Sequence, residues 1–549
     1  MGLLDPKPPP YEPLEWLKAP FDVRGRQSCE AWALDGYGSP LGIYGVYLAK
    51  VFLYVLGWAW FCSFGVGPLS QVAQWWLSPL AFQKAIAWSL LFEVCGLGCG
   101  SGPLTARYLP PFGGALYFAR PGTTKLPLFG GRDTRSVLDA ALYLALLVSL
   151  VRALISPVMG LAELWPVLVL VPLLGVLDKT LFLAARAEHY WVTLVCFALM
   201  PQWLAGAKAV QLALWFWAGV SKLNHHFPTV VCVMTSNAPL TRFGPLRRAM
   251  YRAYPHDLRP SRLATAMSHL GTALELGVPL TFLLTPLGVP PVLAMVLMLM
   301  LHGFITSNVP MGVPLEWNVM VVYGAFALFW AHPDVSLTAV APWPVAVFLL
   351  VMLVAVPLAG NLWPHRISFL LAMRYYAGNW AWSVWLFEGE SYRKLEKLKK
   401  TSPWVFDQLR LLYDEKTTHG LLSKVMSFRL MHLHGRVLPL LVPKAVERFE
   451  SYTWCEGEVM AGLALGWNFG EGHLHHEQLL AAVQRQCGFQ PGELRCIFVE
   501  SQPLFGRTLA WRIVDAATGL VEKGELPVDE LRTRQAWAAA AGPEGAGSA

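Results

Sequence analysis

Apolar residues occur along the first two thirds of the chain in long runs separated by short polar segments. A helix needs about 20 apolar residues to cross the hydrocarbon core of a bilayer, and most of these runs approach that length. The pattern therefore predicts an all-α polytopic membrane protein with about ten transmembrane helices. The predicted spans are 41–64, 79–100, 136–157, 161–183, 189–204, 205–222, 266–286, 288–308, 316–333 and 341–361.

Lysine and arginine are concentrated in three segments that fall on the same side of the predicted membrane, at 107–135, 242–262 and 366–400. The connections 287–290 and 334–340 carry no lysine or arginine. Cytoplasmic loops carry an excess of these residues, so the pattern predicts that both termini are cytoplasmic. We expect a multi-pass protein of the inner membrane.

The amino-acid composition changes near residue 362, where the long apolar runs end and charged residues become frequent. Aromatic-rich residues 369–390 predict a helix at the membrane surface, and the β-like runs Leu494–Val499 and Ala510–Val514 predict a small mixed α/β cytoplasmic region. The predicted domains are an N-terminal cytoplasmic segment at 1–40, a transmembrane domain at 41–361, an interfacial and basic helical region at 362–450, a small α/β cap at 451–533 and a disordered tail at 534–549.

Composition agrees with a membrane protein, because 55% of the residues are hydrophobic and 14% are charged, against about 25% charged in a typical soluble domain. The net charge of +7 fits membrane orientation and contact with anionic lipid. We therefore expect a membrane lipid and a hydrophobic small molecule as partners, and no nucleic acid. The cysteines are odd in number, at nine, and form no CxxC pair, so no disulfide framework is predicted.

Single ionisable residues inside apolar runs are functional candidates, because a charge within the bilayer is costly. Glu93, Glu275 and His302 each stand in such a run. Two interpretations of Glu93 stay open, a group that binds a ligand and a member of a buried ion pair.

The most informative segment is 211–227, where an aromatic helix leads into a lysine. Ala218–Gly219 permits another backbone to approach closely, and Lys222 follows. A lysine at the end of a span is commonly an anchor that reaches the headgroups. A lysine desolvated among aromatic rings is instead a base near neutral pH. We predict Lys222 as a general base, with Glu275 and His302 orienting groups or relaying protons. The predicted substrate-binding residues are Trp217, Gly219, Asn224, His225 and Glu93.

Residues 215–223, Trp-Phe-Trp-Ala-Gly-Val-Ser-Lys-Leu, resemble the aromatic–Ala-Gly-x-x-Lys-Leu signature of the vitamin K-dependent γ-carboxylases and of their bacterial relatives, the HTTM domain proteins. Segments 178–191, 275–279 and 302–312 resemble further motifs of that family in the same order. The carboxylase-like part covers about 40–360. Nearly the whole chain resembles an uncharacterised bacterial membrane family of the DUF3556 type.

The carboxylase resemblance implies a chemistry for two residues. In those enzymes a lysine at the position that matches Lys222 deprotonates vitamin K hydroquinone, and His189 matches a histidine of the family pattern. The resemblance therefore implies a quinol as cofactor or substrate and a catalytic place for His189. A neutral amine in a dry pocket is a competent base, and the exclusion of water protects the strong base formed next.

Two other signals are set aside. His473 and Glu477 lie one helical turn apart, but a metal ion needs more ligands around one point, so no metal site is predicted. The glycine-rich segment 96–102 has no Lys-Ser/Thr ending, so no nucleotide-binding loop is predicted.

Three hypotheses for the function remain. The first is a membrane enzyme that acts on a quinol or lipid, the second a non-catalytic lipid-binding or lipid-transport protein, and the third a scaffold whose basic cytoplasmic faces hold partners. An enzyme should bring Lys222, Glu275 and His302 to one closed pocket, whereas a transporter should show a passage that reaches both faces. The sequence leaves open whether the protein is an enzyme.

Overall fold

The structure is a computed structural model that describes residues 3–98, 113–285, 287–308, 315–339, 342–367, 374–467 and 472–537. Within these residues, five helices have both the length and the apolar composition needed to cross a membrane. The chain is therefore a mostly helical membrane protein. The five helices are Leu41–Cys62, Val137–Ile155, Arg262–Leu284, Val289–Ser307 and Trp343–Leu362.

The helices in the other predicted spans are either shorter or less apolar than these five, so the count of about ten spans is not confirmed. These helices are Pro79–Val94, Leu161–Leu177, Tyr190–Leu199, Trp203–Ser221 and Leu315–Gly324, the last continued by the π-helical Ala325–Trp330.

Polar residues within the apolar runs explain some of the breaks. Predicted span 161–183 is interrupted at Asp178, whose carboxylate accepts the Thr180 N–H at 3.1 Å and pairs with Arg135 at 2.6 Å. Hydropathy counts such a segment as continuous, although the carboxylate ends one helix and begins the next.

Other helices make up the rest of the helical structure among the described residues. The remaining α-helices are Pro13–Trp16, Phe21–Asp35, Val72–Trp75, Gly113–Ala119, Lys179–Ala184, Phe227–Asn237, Gly244–Ala249, Val405–Arg410, Glu415–Met431, Leu438–Ala445, Gly457–Leu465, Glu477–Cys487 and Val528–Thr533. The 3₁₀ turns are Leu69–Gln71, Pro239–Thr241, Leu337–Ala339, Ser391–Lys397, Leu433–Val437, Phe449–Ser451 and Gly472–His475.

The C-terminal region is built on an antiparallel sheet. The strands among the described residues are β1 Tyr251–Ala253, β2 Asp257–Pro260, β3 Trp382–Glu388, β4 Tyr452–Glu456, β5 Leu494–Val499, β6 Thr508–Asp515 and β7 Gly519–Pro527. The sheet has the strand order β4-β3-β5-β6-β7, and a separate small sheet pairs β1 with β2. In the larger sheet Trp385 of β3 stands opposite Cys455 of β4 and Cys496 of β5.

Strand β3 corrects one prediction, because the surface helix expected at 369–390 is absent from the described part of that segment. Residues 374–378 form turns, and 382–388 form a strand that is buried on both faces. Aromatic and β-branched residues suit a buried strand as well as a membrane surface. Strand β3 also joins residues of the predicted 362–450 region to the sheet of the predicted cap. Residues 368–373 lie outside the described residues.

The N-terminal segment packs against the C-terminal region. Helix Phe21–Asp35 contacts helix Glu415–Met431, and Lys424 Nζ donates to the Lys7 and Tyr37 carbonyls at 2.8 and 3.0 Å. The two ends of the chain thus form one structure beside the apolar helices. Of the predicted tail 534–549, residues 538–549 lie outside the described residues.

Candidate functional site

A cavity of about 570 Å³ lies between the apolar helices and the C-terminal region. Its walls come from Trp203–Ser221, Phe227–Asn237, Arg262–Leu284, Val289–Ser307 and Leu315–Gly324. Most lining side chains are aliphatic or aromatic, and a few polar groups face the same space. Cavities of this kind are the usual sites for small hydrophobic ligands. The polar and charged residues that line it are Lys222, Glu275, His302, Asn308, Asn318, Tyr375, Tyr376 and His432.

Lys222 and Glu275 form an ion pair at the cavity wall, and both residues are buried. Lys222 is the C-cap of helix Trp203–Ser221, and its Nζ also donates to the Ala218 carbonyl at 3.3 Å. The ammonium lies 5.0 Å from the ring centroid of Phe227. Among the described lining residues these two are the only lysine, arginine, aspartate or glutamate. The charge of the cavity is therefore concentrated at one place.

Gly219 brings the helices of the ion pair together. A Cβ at Gly219 would lie 3.1 Å from the Leu276 backbone nitrogen and 2.8 Å from Leu276 side-chain atoms. Small residues permit such close contact between membrane helices. Gly219 was predicted to bind substrate, but it is not among the described lining residues. Its position indicates that it sets the distance between Lys222 and Glu275.

His302 is held by two hydrogen bonds that determine its tautomer. Trp215 Nε1–H donates to His302 Nε2 at 3.2 Å, and the other ring nitrogen, Nδ1, lies 2.7 Å from Asn318 Oδ1. An amide oxygen accepts only, so the Nδ1 atom carries the proton and the imidazole is neutral. His302 therefore lines the cavity as an oriented neutral ring beside the ion pair.

The C-terminal region closes one end of the cavity with Tyr375, Tyr376, Trp380, Phe428 and His432. Burial lowers the pKa of His432 to about 3, and the imidazole contacts the Phe428 carbonyl through Nδ1 at 2.8 Å. The ring is therefore neutral at neutral pH.

A carboxyl group behind this closed end is also shifted toward its uncharged form. Burial and the neighbouring Glu456 carboxylate raise the pKa of Glu458 to about 8. Tyr375 Oη donates to Glu458 Oε2 at 3.5 Å. The end of the cavity at the C-terminal region thus presents neutral polar groups.

Three of the predicted catalytic residues, Lys222, Glu275 and His302, line one cavity. The fourth, His189, does not line it and instead accepts the Trp317 indole N–H through Nδ1 at 2.9 Å. Trp317 itself lines the cavity. His189 therefore supports an aromatic ring of the wall.

Glu93 belongs to the same supporting layer. Its Oε1 accepts from Arg186 Nε at 2.8 Å in a buried ion pair, and the Arg186 guanidinium lies 4.5 Å from the Trp317 ring centroid. Of the two interpretations of Glu93, the structure places it in the ion pair and not among the described lining residues.

The other predicted substrate-binding residues lie away from the described lining. The Trp217 indole donates to the Leu353 carbonyl at 2.7 Å, and Asn224 Nδ2 contacts the Gln502 carbonyl at 3.5 Å. His225 is exposed, whereas the adjacent His226 is buried, with Nε2 at 2.8 Å from Gln502 Oε1. The helix ends at Ser221, and helical periodicity gives no guide to direction beyond that point.

Sequence reasoning missed Asn318 and the aromatic residues of the C-terminal region. Asn318 stands in the apolar helix Leu315–Gly324, where an uncharged amide gives a weaker signal than an ionisable group. Tyr375, Tyr376 and Trp380 fell inside the predicted surface helix. Their aromatic character was visible, but their partner surface depends on the tertiary fold.

The arrangement has two chemical capacities. An apolar volume with aromatic walls accommodates a hydrophobic ring or chain, and the ion pair with His302 and Asn318 offers donors and acceptors to one polar head. A proton can also move within the ion pair, because the two side chains are in direct contact.

A family model described as a transmembrane protein of unknown function, DUF3556, matches residues 1–544. No curated protein sequence and no solved structure shows significant similarity to the chain.

Proposed function

The chain belongs to the DUF3556 family of transmembrane proteins, and we propose that it binds a quinol or a lipid in the intramembrane cavity and uses Lys222 as a general base toward the polar head. The observation that carries this proposal is the Lys222–Glu275 contact on the wall of an otherwise apolar cavity. A buried charged pair beside open apolar space is a costly arrangement unless it serves a ligand or a specific packing need.

The position of the cavity supports a ligand that arrives from the bilayer. Leu270 and Met300 line the cavity, yet they are 62% and 68% exposed. Both belong to helices that are long and apolar enough to span a membrane. The exposure of these two lining side chains on such helices supports an opening of the cavity toward the hydrocarbon region, where quinols and lipids are dissolved.

The ion pair provides a route to a neutral amine. Transfer of one proton from the Lys222 ammonium to the Glu275 carboxylate leaves an amine and a carboxylic acid. The amine then takes the proton of a ligand hydroxyl, which restores the ammonium beside the new oxyanion. The resemblance of residues 215–223 to the carboxylase signature supports a quinol as that hydroxyl compound.

A second candidate function, non-catalytic lipid binding or transport, is favoured by the ion pair in its charged form. An ammonium and a carboxylate in contact favour each other's charged states. A permanently protonated Lys222 would serve as a donor to an anionic headgroup and not as a base.

The contacts between the two ends of the chain support a membrane topology with both termini on one side. Lys424 of the C-terminal region contacts Lys7, and Tyr11 contacts Ser423 at 2.8 Å. With the basic segments 107–135, 242–262 and 366–400, this arrangement supports a cytoplasmic location of both ends and an inner-membrane protein.

Lipid and quinone profiling of cells tests the proposed chemistry. Cells that produce the wild-type chain, Lys222→Ala or Lys208→Ala are extracted and compared by mass spectrometry. Lys208 is a matched control, because it is a buried lysine of the same helix whose Nζ donates to the His332 and Val335 carbonyls at 2.6 and 2.7 Å. We expect a chemically altered lipid or quinone with the wild type and Lys208→Ala, and none with Lys222→Ala.

Equal profiles in all three samples at equal membrane levels of protein would contradict the general-base role. An altered species that persists in Lys222→Ala would contradict it as well.

A further inference from the structure

Three side chains of the C-terminal region meet at one point, two of them histidines three positions apart and the third a glutamate 24 positions further along the chain. His473 lies on the 3₁₀ turn Gly472–His475, His476 precedes helix Glu477–Cys487, and Glu500 follows strand β5. One ligand atom from each lies within 4.8 Å of the others. His476 and Glu500 are buried, and His473 is partly buried.

We propose that His473, His476 and Glu500 form a binding site for a divalent transition-metal ion, with Zn²⁺ as the ion that fits the ligand set best. Two imidazoles and one carboxylate are a recurrent set for zinc and related ions. Calcium and magnesium prefer oxygen ligands throughout, so two imidazoles disfavour them. From the sequence, His473 was paired with Glu477 and no metal site was predicted. In the fold, Glu500 takes the place of Glu477 beside the two histidines.

His476 is oriented as metal-binding histidines are. Its Nε2 lies 3.1 Å from the Trp382 carbonyl, which accepts the proton of that nitrogen. Nδ1 then carries the lone pair, and this buried atom has no hydrogen-bond partner among the described residues. It lies 3.7 Å from Glu500 Oε1. A ring nitrogen bonded to a backbone carbonyl is the common outer contact that fixes a ligand histidine.

His473 and Glu500 supply the other two ligand atoms. His473 Nε2 lies 2.7 Å from Glu500 Oε2, so a proton is shared at the place where an ion would bind. Adjacent ligand atoms of a tetrahedral zinc site lie about 3.3 Å apart, given zinc–nitrogen distances near 2.05 Å. Small side-chain movements therefore admit the ion, and its binding releases the shared proton.

Arg512 and Glu477 complete the surroundings of the cluster. Arg512 Nη2 donates to Glu500 Oε1 at 2.7 Å, and Arg512 Nε donates to Glu477 Oε1. The guanidinium thus holds one oxygen of Glu500 and leaves Oε2 directed toward His473. Its positive charge is balanced by Glu477, which limits its repulsion of a cation.

Zinc binding to the purified full-length chain in detergent tests the proposal. The protein is treated with a chelator, the chelator is removed, and Zn²⁺ is titrated by calorimetry, with metal content measured by plasma mass spectrometry. We expect one zinc ion per wild-type chain and a rise in Tm on zinc addition. His473→Gln and Glu500→Gln should each abolish stoichiometric binding.

His475→Gln is the matched control, because His475 belongs to the same histidine run but contacts Ser383 Oγ through Nδ1 at 2.8 Å. This variant should keep one zinc ion per chain. Its elution profile in size-exclusion chromatography and its Tm show whether it is folded. Absence of zinc from the wild type would overturn the site, as would equal zinc binding by wild type, His473→Gln and Glu500→Gln.

Discussion

Lys222 and Glu275 lie 53 positions apart in the sequence and form a buried ion pair on the wall of the cavity. The pair joins the end of helix Trp203–Ser221 to the middle of helix Arg262–Leu284. The two charged groups have little contact with water, so each charge is stabilised mainly by the other.

Removal of one partner of the ion pair should destabilise the protein strongly. Lys222→Met or Glu275→Leu alone leaves an uncompensated buried charge, which costs about 3–5 kcal/mol. The double variant Lys222→Met/Glu275→Leu should recover most of that loss, because no charge remains. Chemical unfolding of the purified proteins in detergent measures the change in the free energy of unfolding for each of the two single variants and for the double variant. Additive losses in the double variant would show that the two charges do not interact.

Gly219→Ala should separate the two helices of the ion pair. The new Cβ would meet Leu276 backbone and side-chain atoms at 3.1 and 2.8 Å, an overpacking that costs about 1–3 kcal/mol. Gly277→Ala on the facing helix is the control, since its Cβ meets no atom within 4 Å. Thermal unfolding should show a lower Tm for Gly219→Ala and an equal or higher Tm for Gly277→Ala. Equal Tm values for the two variants would show that Gly219 does not determine the contact between these helices.

His432 should make the protein less stable in acid. Its pKa is lowered from 6.5 to about 3 by burial, so the unfolded chain takes up a proton below about pH 6.5 while the folded chain does not. The stability that this group contributes is complete above pH 6.5 and is lost as the pH falls toward 3, by about 1.4 kcal/mol per pH unit at most. The free energy of unfolding, measured from pH 7 to pH 4, should fall less steeply for His432→Gln than for the wild type.

Glu458 should have the opposite effect at higher pH. Its pKa is raised from 4.5 to about 8, first by burial and then by the Glu456 carboxylate. The unfolded chain ionises this carboxyl above about pH 4.5, whereas the folded chain keeps it protonated. Its contribution is complete below pH 4.5 and is lost as the pH rises toward 8. Glu458→Gln should therefore flatten the fall in stability between pH 5 and 8, and an unchanged profile would place the ionisation elsewhere.

The sequence was sufficient to identify the centre of the candidate site but not its surroundings. Lys222, Glu275 and His302 stood out because each is an isolated ionisable group in an apolar run, where such a group is costly. The choice between a ligand role and an ion pair for Glu93 depended on Arg186, 93 positions away. Such a pairing comes from the packing of helices, which the local pattern does not contain.

For the architecture as well, the sequence predicted the general class but not every element. Apolar content and helical runs identified a membrane protein, but the apolar runs alone did not separate the five helices that are long and apolar enough to span a membrane from the other helices of the predicted spans. Strand β3 was expected to be helical, because its aromatic residues fit either structure and its pairing with β4 and β5 is non-local. The positions of His225 and His226, one exposed and one buried, depend on the turn after Ser221.

Native mass spectrometry of the protein released from lipid nanodiscs tests ligand binding in the cavity directly, with the mass of bound small molecules as the readout. Leu301 lines the cavity, and Leu301→Trp narrows it by placing an indole ring there, whereas Leu293→Trp places the same bulk on an exposed position of the same helix. We expect one bound lipid or quinone on the wild type and on Leu293→Trp, and its loss from Leu301→Trp and Lys222→Ala. Equal bound mass on all four proteins, or none on the wild type, would contradict ligand binding in the cavity.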